Sequence, residues 1–265
     1  MSASPLPESS GLVLTGERTL PGIPDENYWF QRHVVAYEHV ADLAAGSVVL
    51  DAGCGEGYGL RMLAQAGATR VIGVDLDSLA VAHAKRTYAD DVIEVHEAEL
   101  MALPLAQDEV DLTVSFQVIE HLHDIPGYLA SLRRVTKPGG TIVIATPNRL
   151  TFTPDSLTPV NPFHTVEFTG QELRAELERA GLIVHEVTGV HHGVLLDSVE
   201  HDSKLTMTQL QAAAPEQWPS WLRQMVHRTK TSHFKVFAYK LDHSLDLIAR
   251  CTVPSGTTPR SAPNA

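Results

Sequence analysis

The feature that most constrains this chain is a run of alternate glycines, Asp51-Ala-Gly53-Cys-Gly55-Glu-Gly57-Tyr-Gly59, placed directly after the apolar stretch Ser47-Val-Val-Leu50. Glycines are needed where the backbone turns sharply and where a ligand approaches without a Cβ in the way. A strand entering such a loop and a helix leaving it define a nucleotide-type binding edge. The spacing does not fit the dinucleotide fingerprint G-x-G-x-x-G, because the sixth position counted from Gly53 is Tyr58. Glu56 would also oppose a pyrophosphate at the helix N-terminus. The loop suits a cationic or zwitterionic ligand better; the alternative is a purely structural turn.

Downstream, short apolar runs alternate with helical patterns. Residues 70–75, 92–98, 110–116, 141–147 and 182–190 read as strands, and 78–89, 126–140 and 170–182 as helices. The strands are almost continuously apolar, which marks strands covered on both faces. Strand–helix–strand succession predicts right-handed crossovers and a doubly wound, mostly parallel α/β sheet of the Rossmann kind. A last strand is expected at 244–253, antiparallel and at or near the sheet edge. The segment 192–243 is too long for a hairpin connection and reads as a helical lid or acceptor-binding insertion. Residues 1–13 and 254–265 read as flexible tails, 14–44 as an N-terminal cap, and 45–253 as the main domain.

Composition narrows the partners. There are 32 acidic against 20 basic residues, a formal charge of −12 with 14 histidines counted neutral. That balance argues against a nucleic-acid or anionic-membrane binder, which needs a basic face. The two cysteines, Cys54 and Cys251, exclude a disulfide scaffold and fit a reducing compartment, the cytoplasm. No apolar run is long enough for a membrane span, and residues 1–14 lack the features of a secretory signal. Oligomeric state stays open, a homodimer included.

Asp75 ends the second strand, 24 residues after Asp51. In a doubly wound sheet that carboxylate lies at the carboxyl edge, where it can accept from both hydroxyls of a ribose. A helix-capping role is the alternative, and Asp77 or Ser78 fills it better. Glu99 follows the third strand, where it can accept from an adenine amine.

The ordered set VVLDAGCGEGYG, GVD, AELMALP, SFQVIEHLHD and a strand ending in Thr146-Pro147 resembles the class I S-adenosylmethionine (SAM)-dependent methyltransferases, closest to the small-molecule type 11 branch. The resemblance implies a seven-stranded sheet and SAM as cofactor. It implies that Asp51, Gly53 and Gly55 border the methionine part and that Asp75, with Leu76 beside it, holds the ribose. Glu99 and Leu100 would flank the adenine, although Asp or Asn is the commoner adenine contact, and Gln117 would sit near the methionine end. A narrower resemblance runs through residues 14–33, 161–169 and 244–249. These look like sugar O-methyltransferases of polymethylated mannose and glucose polysaccharide synthesis, 1-O-methyltransferases of methylmannose polysaccharide among them. In such enzymes the N-terminal segment caps the SAM site, which makes Arg32 a candidate for the SAM carboxylate and Tyr28 a weaker one.

Transfer of methyl from a sulfonium to oxygen requires chiefly that the acceptor be positioned and its proton removed. Glu120-His121-Leu-His123-Asp124 lies just past the fourth strand, at the ligand-binding edge. His121 is the first candidate for general base, with Asp124 or Glu120 to orient it; His123 is expected to face away. His164, in Asn161-Pro-Phe-His-Thr-Val-Glu167-Phe, is the second candidate. Related quinone-pathway enzymes hold Mg²⁺ with Glu-x-x-Glu-His. Here Gln117-x-x-Glu120-His121 is one carboxylate short, so Glu120 and His121 are the possible metal ligands. One of His191 and His192 is a candidate for the acceptor pocket. Trp218 and Trp221, at helical spacing, are expected to share a face as lid core or a sugar platform.

Overall fold

The computed structural model describes residues 19–255. The tail 1–13 and most of 254–265 lie outside them, as do the first residues of the expected cap. The chain opens with α1 (Asn27–Ala44). It then winds through β1 (Val48–Ala52), α2 (Tyr58–Gln65), β2 (Arg70–Asp75), α3 (Ser78–Tyr88), β3 (Ile93–Glu97), β4 (Val110–Phe116), α4 (Ile125–Val135) and β5 (Thr136–Pro147). A single turn, α5 (Arg149–Phe152), and α6 (Gly170–Arg179) lead to β6 (Ile183–His192). After it come α7 (Val194–Ser203), α8 (Met207–Leu210), α9 (Ser220–Arg228), β7 (Phe234–Phe237) and β8 (Asp246–Thr252).

Among the described residues the sheet has eight strands in the order β3-β2-β1-β4-β5-β8-β6-β7. β1 to β5 run parallel, whereas β8 pairs antiparallel with both β5 and β6. Four expectations are corrected here. The sheet is eight-stranded and not seven-stranded. The stretch 192–243 is not wholly helical, because Phe-Lys-Val-Phe alternates with a period of two, buries Phe234, exposes Lys235 and pairs with the outer edge of β6. The last strand, expected at or near the sheet edge, pairs on both sides and lies between β5 and β6 with β7 beyond. The helix expected at 126–140 ends at Val135, and Thr136–Gly140 is extended as the start of β5.

Adjacent strand residues feed two different cores, which is why the strands read as unbroken apolar runs. Val49, Val71 and Val114 pack with Leu60 and Leu63 of α2, Val81 of α3 and Val40 of α1. Leu50, Ile72 and Ile144 pack with Leu129 and Leu132 of α4 and Leu173 and Leu177 of α6. Leu50 is completely buried, and its truncation to alanine costs about 2–5 kcal/mol.

Two of the helices that lead away from the carboxyl edge, α3 and α6, are capped by side chains at their N-termini. Asp77 accepts from the amides of Leu79 and Ala80 at the start of α3, so Asp75 is not needed as that cap. Thr169 and Glu172 close a reciprocal capping box on α6.

Candidate active site

β1, β2, β3 and β4 end along one edge, and a cavity of about 530 Å³ opens there. Gly53, Gly55, Asp75, Leu76, Glu99, Leu100 and Gln117, the residues expected around a cofactor, are brought together in its wall. Gly53 has φ 86° and a Cβ on it would lie 2.4 Å from Val118 Cγ2, so glycine is required for chain and packing alike. Gly55 has φ 54°, and a Cβ there would meet nothing within 4 Å: it faces open space. Asp75 accepts from the Gly55 amide at 2.8 Å and the Asp77 amide at 2.9 Å, which fixes its carboxylate against the loop.

Two residues expected at this ligand lie elsewhere. Asp51 is fully buried under the loop, accepts from the Tyr37 hydroxyl at 3.0 Å and is not part of the cavity wall. Burial pushes its carboxyl up to about 7, with the charge of Asp75 adding to the effect. Arg32 is 4% exposed and is already neutralised by Asp246, with contacts of 2.6 Å to each carboxylate oxygen. It is therefore not a free cation for a cofactor carboxylate. Glu56 does line the cavity; burial raises its carboxyl to about 7, and the Tyr88 hydroxyl donates to it.

A second cavity of about 210 Å³ adjoins the first. Thr19, His33, Gln117 and His121 line both. Its remaining wall includes Trp29 and Arg32 of α1, Glu120, Phe152, Asn161, His164 and Asp246. The loop after β5 reaches this place because Thr165 pins it to the turn after β4: its amide donates to Glu120 O at 2.7 Å and its hydroxyl to Leu122 O at 2.7 Å. That docking sets the His121 and His164 rings 5.0 Å apart, centre to centre, and Phe152 stacks on His164.

The local partners fix the histidine tautomers. His121 Nδ1 lies 3.0 Å from Phe163 O, and a carbonyl only accepts, so Nδ1 carries the proton. His164 Nδ1 lies 2.7 Å from Glu167 Oε1 and donates to it, and Asn161 Nδ2 donates to His164 Nε2. Glu120 is buried and accepts from Thr146 Oγ1 at 2.9 Å. Burial, with Asp246 and Glu167 nearby, raises its carboxyl to about 8.

Several expectations change. Asp124 is exposed and caps α4 by accepting from the Gly127 amide, so it does not orient His121. His123 is exposed, as expected. His191 and His192 line a third cavity, of about 330 Å³, and not the 210 Å³ cavity next to His121. There His192 bridges the Tyr28 hydroxyl, at 2.8 Å, and Glu200. Trp218 precedes α9, so the two tryptophans do not share a helical face; Trp218 packs on the core and Trp221 is half exposed.

Asp246 and Glu167 were not singled out from the sequence. Asp246 carried a signal: it is an isolated acid at the head of an apolar strand, where a buried charge needs a partner.

A glycine loop, a carboxylate fixed against it at the end of β2 and two joined cavities at the same sheet edge agree with the similarities this chain shows. Residues 50–144 match the family model described as a methyltransferase domain. A Mycolicibacterium smegmatis protein named "Probable S-adenosylmethionine-dependent methyltransferase" is 43% identical over 251 residues, covering 92% of this chain and 96% of that one. The chain belongs to the SAM-dependent methyltransferase family. A Mycobacterium tuberculosis relative of the same description is 42% identical over 250 residues, 92% of this methyltransferase and 90% of its own length. The fold matches a SAM-dependent methyltransferase from Mesorhizobium loti, TM-score 0.57 at 19% identity, over 85% of this chain and 99% of that one. The ubiquinone biosynthesis O-methyltransferase of Pseudomonas fluorescens is 28% identical over 165 residues, 57% of this chain and 71% of its own. Among the described residues no helix is long and apolar enough to cross a membrane.

Proposed function

We propose that this methyltransferase moves the methyl of SAM onto a hydroxyl of a saccharide bound in the 210 Å³ cavity, with His121 as general base and His164 beside it. The observation that carries the reading is the shared wall: His121 and Gln117 border both cavities. Two imidazoles border both spaces, His33 and His121; burial holds His33 down to about 4, which leaves His121 as the better base at neutral pH. The tautomer held by Phe163 leaves Nε2 as the basic nitrogen of His121. An in-line displacement on a sulfonium asks for little more than this placement and a proton acceptor.

In this reading Asp75 holds the ribose hydroxyls, Glu99 and Leu100 border the adenine, and Gln117 lies at the methionine end. The saccharide assignment is supported by the makeup of the acceptor wall. Trp29 and Phe152 offer apolar ring surface, and Glu26, Arg32, Asn161 and Asp246 offer donors and acceptors for several hydroxyls. The resemblance of residues 161–169 and 244–249 to sugar O-methyltransferases points the same way. A phenol or quinone-type acceptor is the second reading, favoured by the ubiquinone relative and the same aromatic wall. A Mg²⁺ site, implied by that relationship, does not fit the residues. Mg²⁺ takes oxygen ligands in near-octahedral array, whereas the cluster here offers one carboxylate and two imidazoles. No step is assigned to Mg²⁺.

The test is an acceptor screen with labelled SAM against saccharides and phenols, scored by label retained in the acceptor. Transfer to saccharides in preference to phenols is expected; transfer to phenols alone replaces the first reading by the second.

A further inference from the structure

The mismatch with Mg²⁺ carries its own consequence. We propose that Glu120, His121 and His164 form a binding site for a nitrogen-preferring divalent transition cation such as Fe²⁺, Co²⁺ or Zn²⁺, open on the acceptor side. It rests on the placement of the acceptor cavity in the preceding reading, not on the identity of the acceptor.

One donor atom from each of the three residues lies within 4.8 Å of the others. Bonds of about 2.0–2.2 Å to a common ion set neighbouring ligand atoms about 3 Å apart, so the side chains must converge by less than about 2 Å. Two imidazoles and one carboxylate are a donor set that suits these ions and leaves coordination positions open.

The surroundings are those of metal-ligating histidines, whose other ring N–H is held by a carboxylate or a backbone carbonyl. His164 Nδ1 is held by Glu167 at 2.7 Å and His121 Nδ1 by Phe163 O at 3.0 Å. Both rings thereby take the tautomer with Nε2 as ligand, so a bound ion occupies the basic nitrogen of His121 and the general-base step of the preceding reading belongs to the metal-free protein. Thr146 donates to Glu120 Oε2 and so orients that carboxylate as well. Asn161 Nδ2 sits 3.0 Å from His164 Nε2, and the cation takes over that contact when it binds. All three ligands and Asn161 line the acceptor cavity, so the ion's open positions face the space where an acceptor oxygen would lie.

The experiment uses untagged full-length protein, stripped with chelator and dialysed, without SAM or acceptor. Co²⁺ is titrated in and the visible d–d absorption of a nitrogen-ligated ion is followed. Expected are one Co²⁺ per chain, displacement by Zn²⁺, no displacement by millimolar Mg²⁺, and at least about tenfold weaker binding in His164→Ala and in Glu120→Gln. Circular dichroism of both variants confirms folding, and His121→Gln serves if either fails to fold. Absence of a Co²⁺ spectrum, displacement by Mg²⁺, or unchanged binding in the folded variants overturns the site. Saccharide methylation that persists in chelator while Co²⁺ fails to bind removes the metal and leaves the proposed activity intact; Co²⁺ binding without saccharide turnover does the reverse.

Discussion

Arg32 of α1 grips Asp246 of β8 through two contacts of 2.6 Å, across 214 residues of chain and with both side chains almost fully buried. The pair ties α1 to a strand inside the sheet, and both residues line the 210 Å³ cavity. Removing one partner leaves a buried, uncompensated charge. Arg32→Ala should therefore destabilise the fold by about 3–5 kcal/mol, read from the urea midpoint of the unliganded protein. A role at the SAM carboxylate would instead weaken SAM binding with the midpoint unmoved.

Asp75→Ala should weaken SAM about 10–100-fold by calorimetry, equivalent to about 1.4–2.8 kcal/mol. It removes the ribose acceptor and frees the Gly55 amide that the carboxylate now holds. The acceptor KM at saturating SAM should change little, because Asp75 borders only the larger of the two joined cavities.

His121→Ala should lower kcat by about 10²–10⁴, the usual contribution of a positioned base, while SAM affinity stays within a few-fold of wild type. Steady-state turnover and calorimetry on the same sample separate the two. A kcat within threefold of wild type assigns the base to another residue.

Asp51 supplies a pH test. Its carboxyl sits at about 7 in the folded protein, raised chiefly by burial, against an ordinary value near 4 when unfolded. Over that interval the folded state keeps a proton that the unfolded state has lost. Its contribution to stability therefore falls as pH rises from about 4 to about 7, then levels off. Asp51→Asn should make this part of the stability–pH curve shallower by the share of Asp51, while the raised carboxyls of Glu56 and Glu120 keep theirs, measured by chemical denaturation at half-unit steps of pH. A curve as steep as wild type removes Asp51 as its source.

The parallel half of the fold was legible because its strands are covered on both faces and its glycine loop has one structural use. Gly53, Asp75 and Leu100 fell where the topology puts them. What could not be read was set by contacts distant in sequence. Arg32 reads as a free cation until Asp246, at the far end of the chain, is placed beside it. Phe234–Phe237 is too short to stand out within a mostly helical stretch, and becomes a strand because the edge of β6 offers it partners. Asp124 lies close enough in sequence to be expected to orient His121, but the local turn into α4 claims it first. His164 and Glu167 carry an i, i+3 pattern that any loop can show; Thr165 docking onto the turn after β4 is what brings that pair to His121.

The most direct test of the central claim is transfer of labelled methyl from SAM to a panel of mannosides, glucosides, partly methylated oligosaccharides and phenols, each with wild type and His121→Ala. The account predicts label on a saccharide as an O-methyl ether, lost in His121→Ala while SAM still binds. Label confined to phenols, or undiminished transfer by His121→Ala, would contradict it.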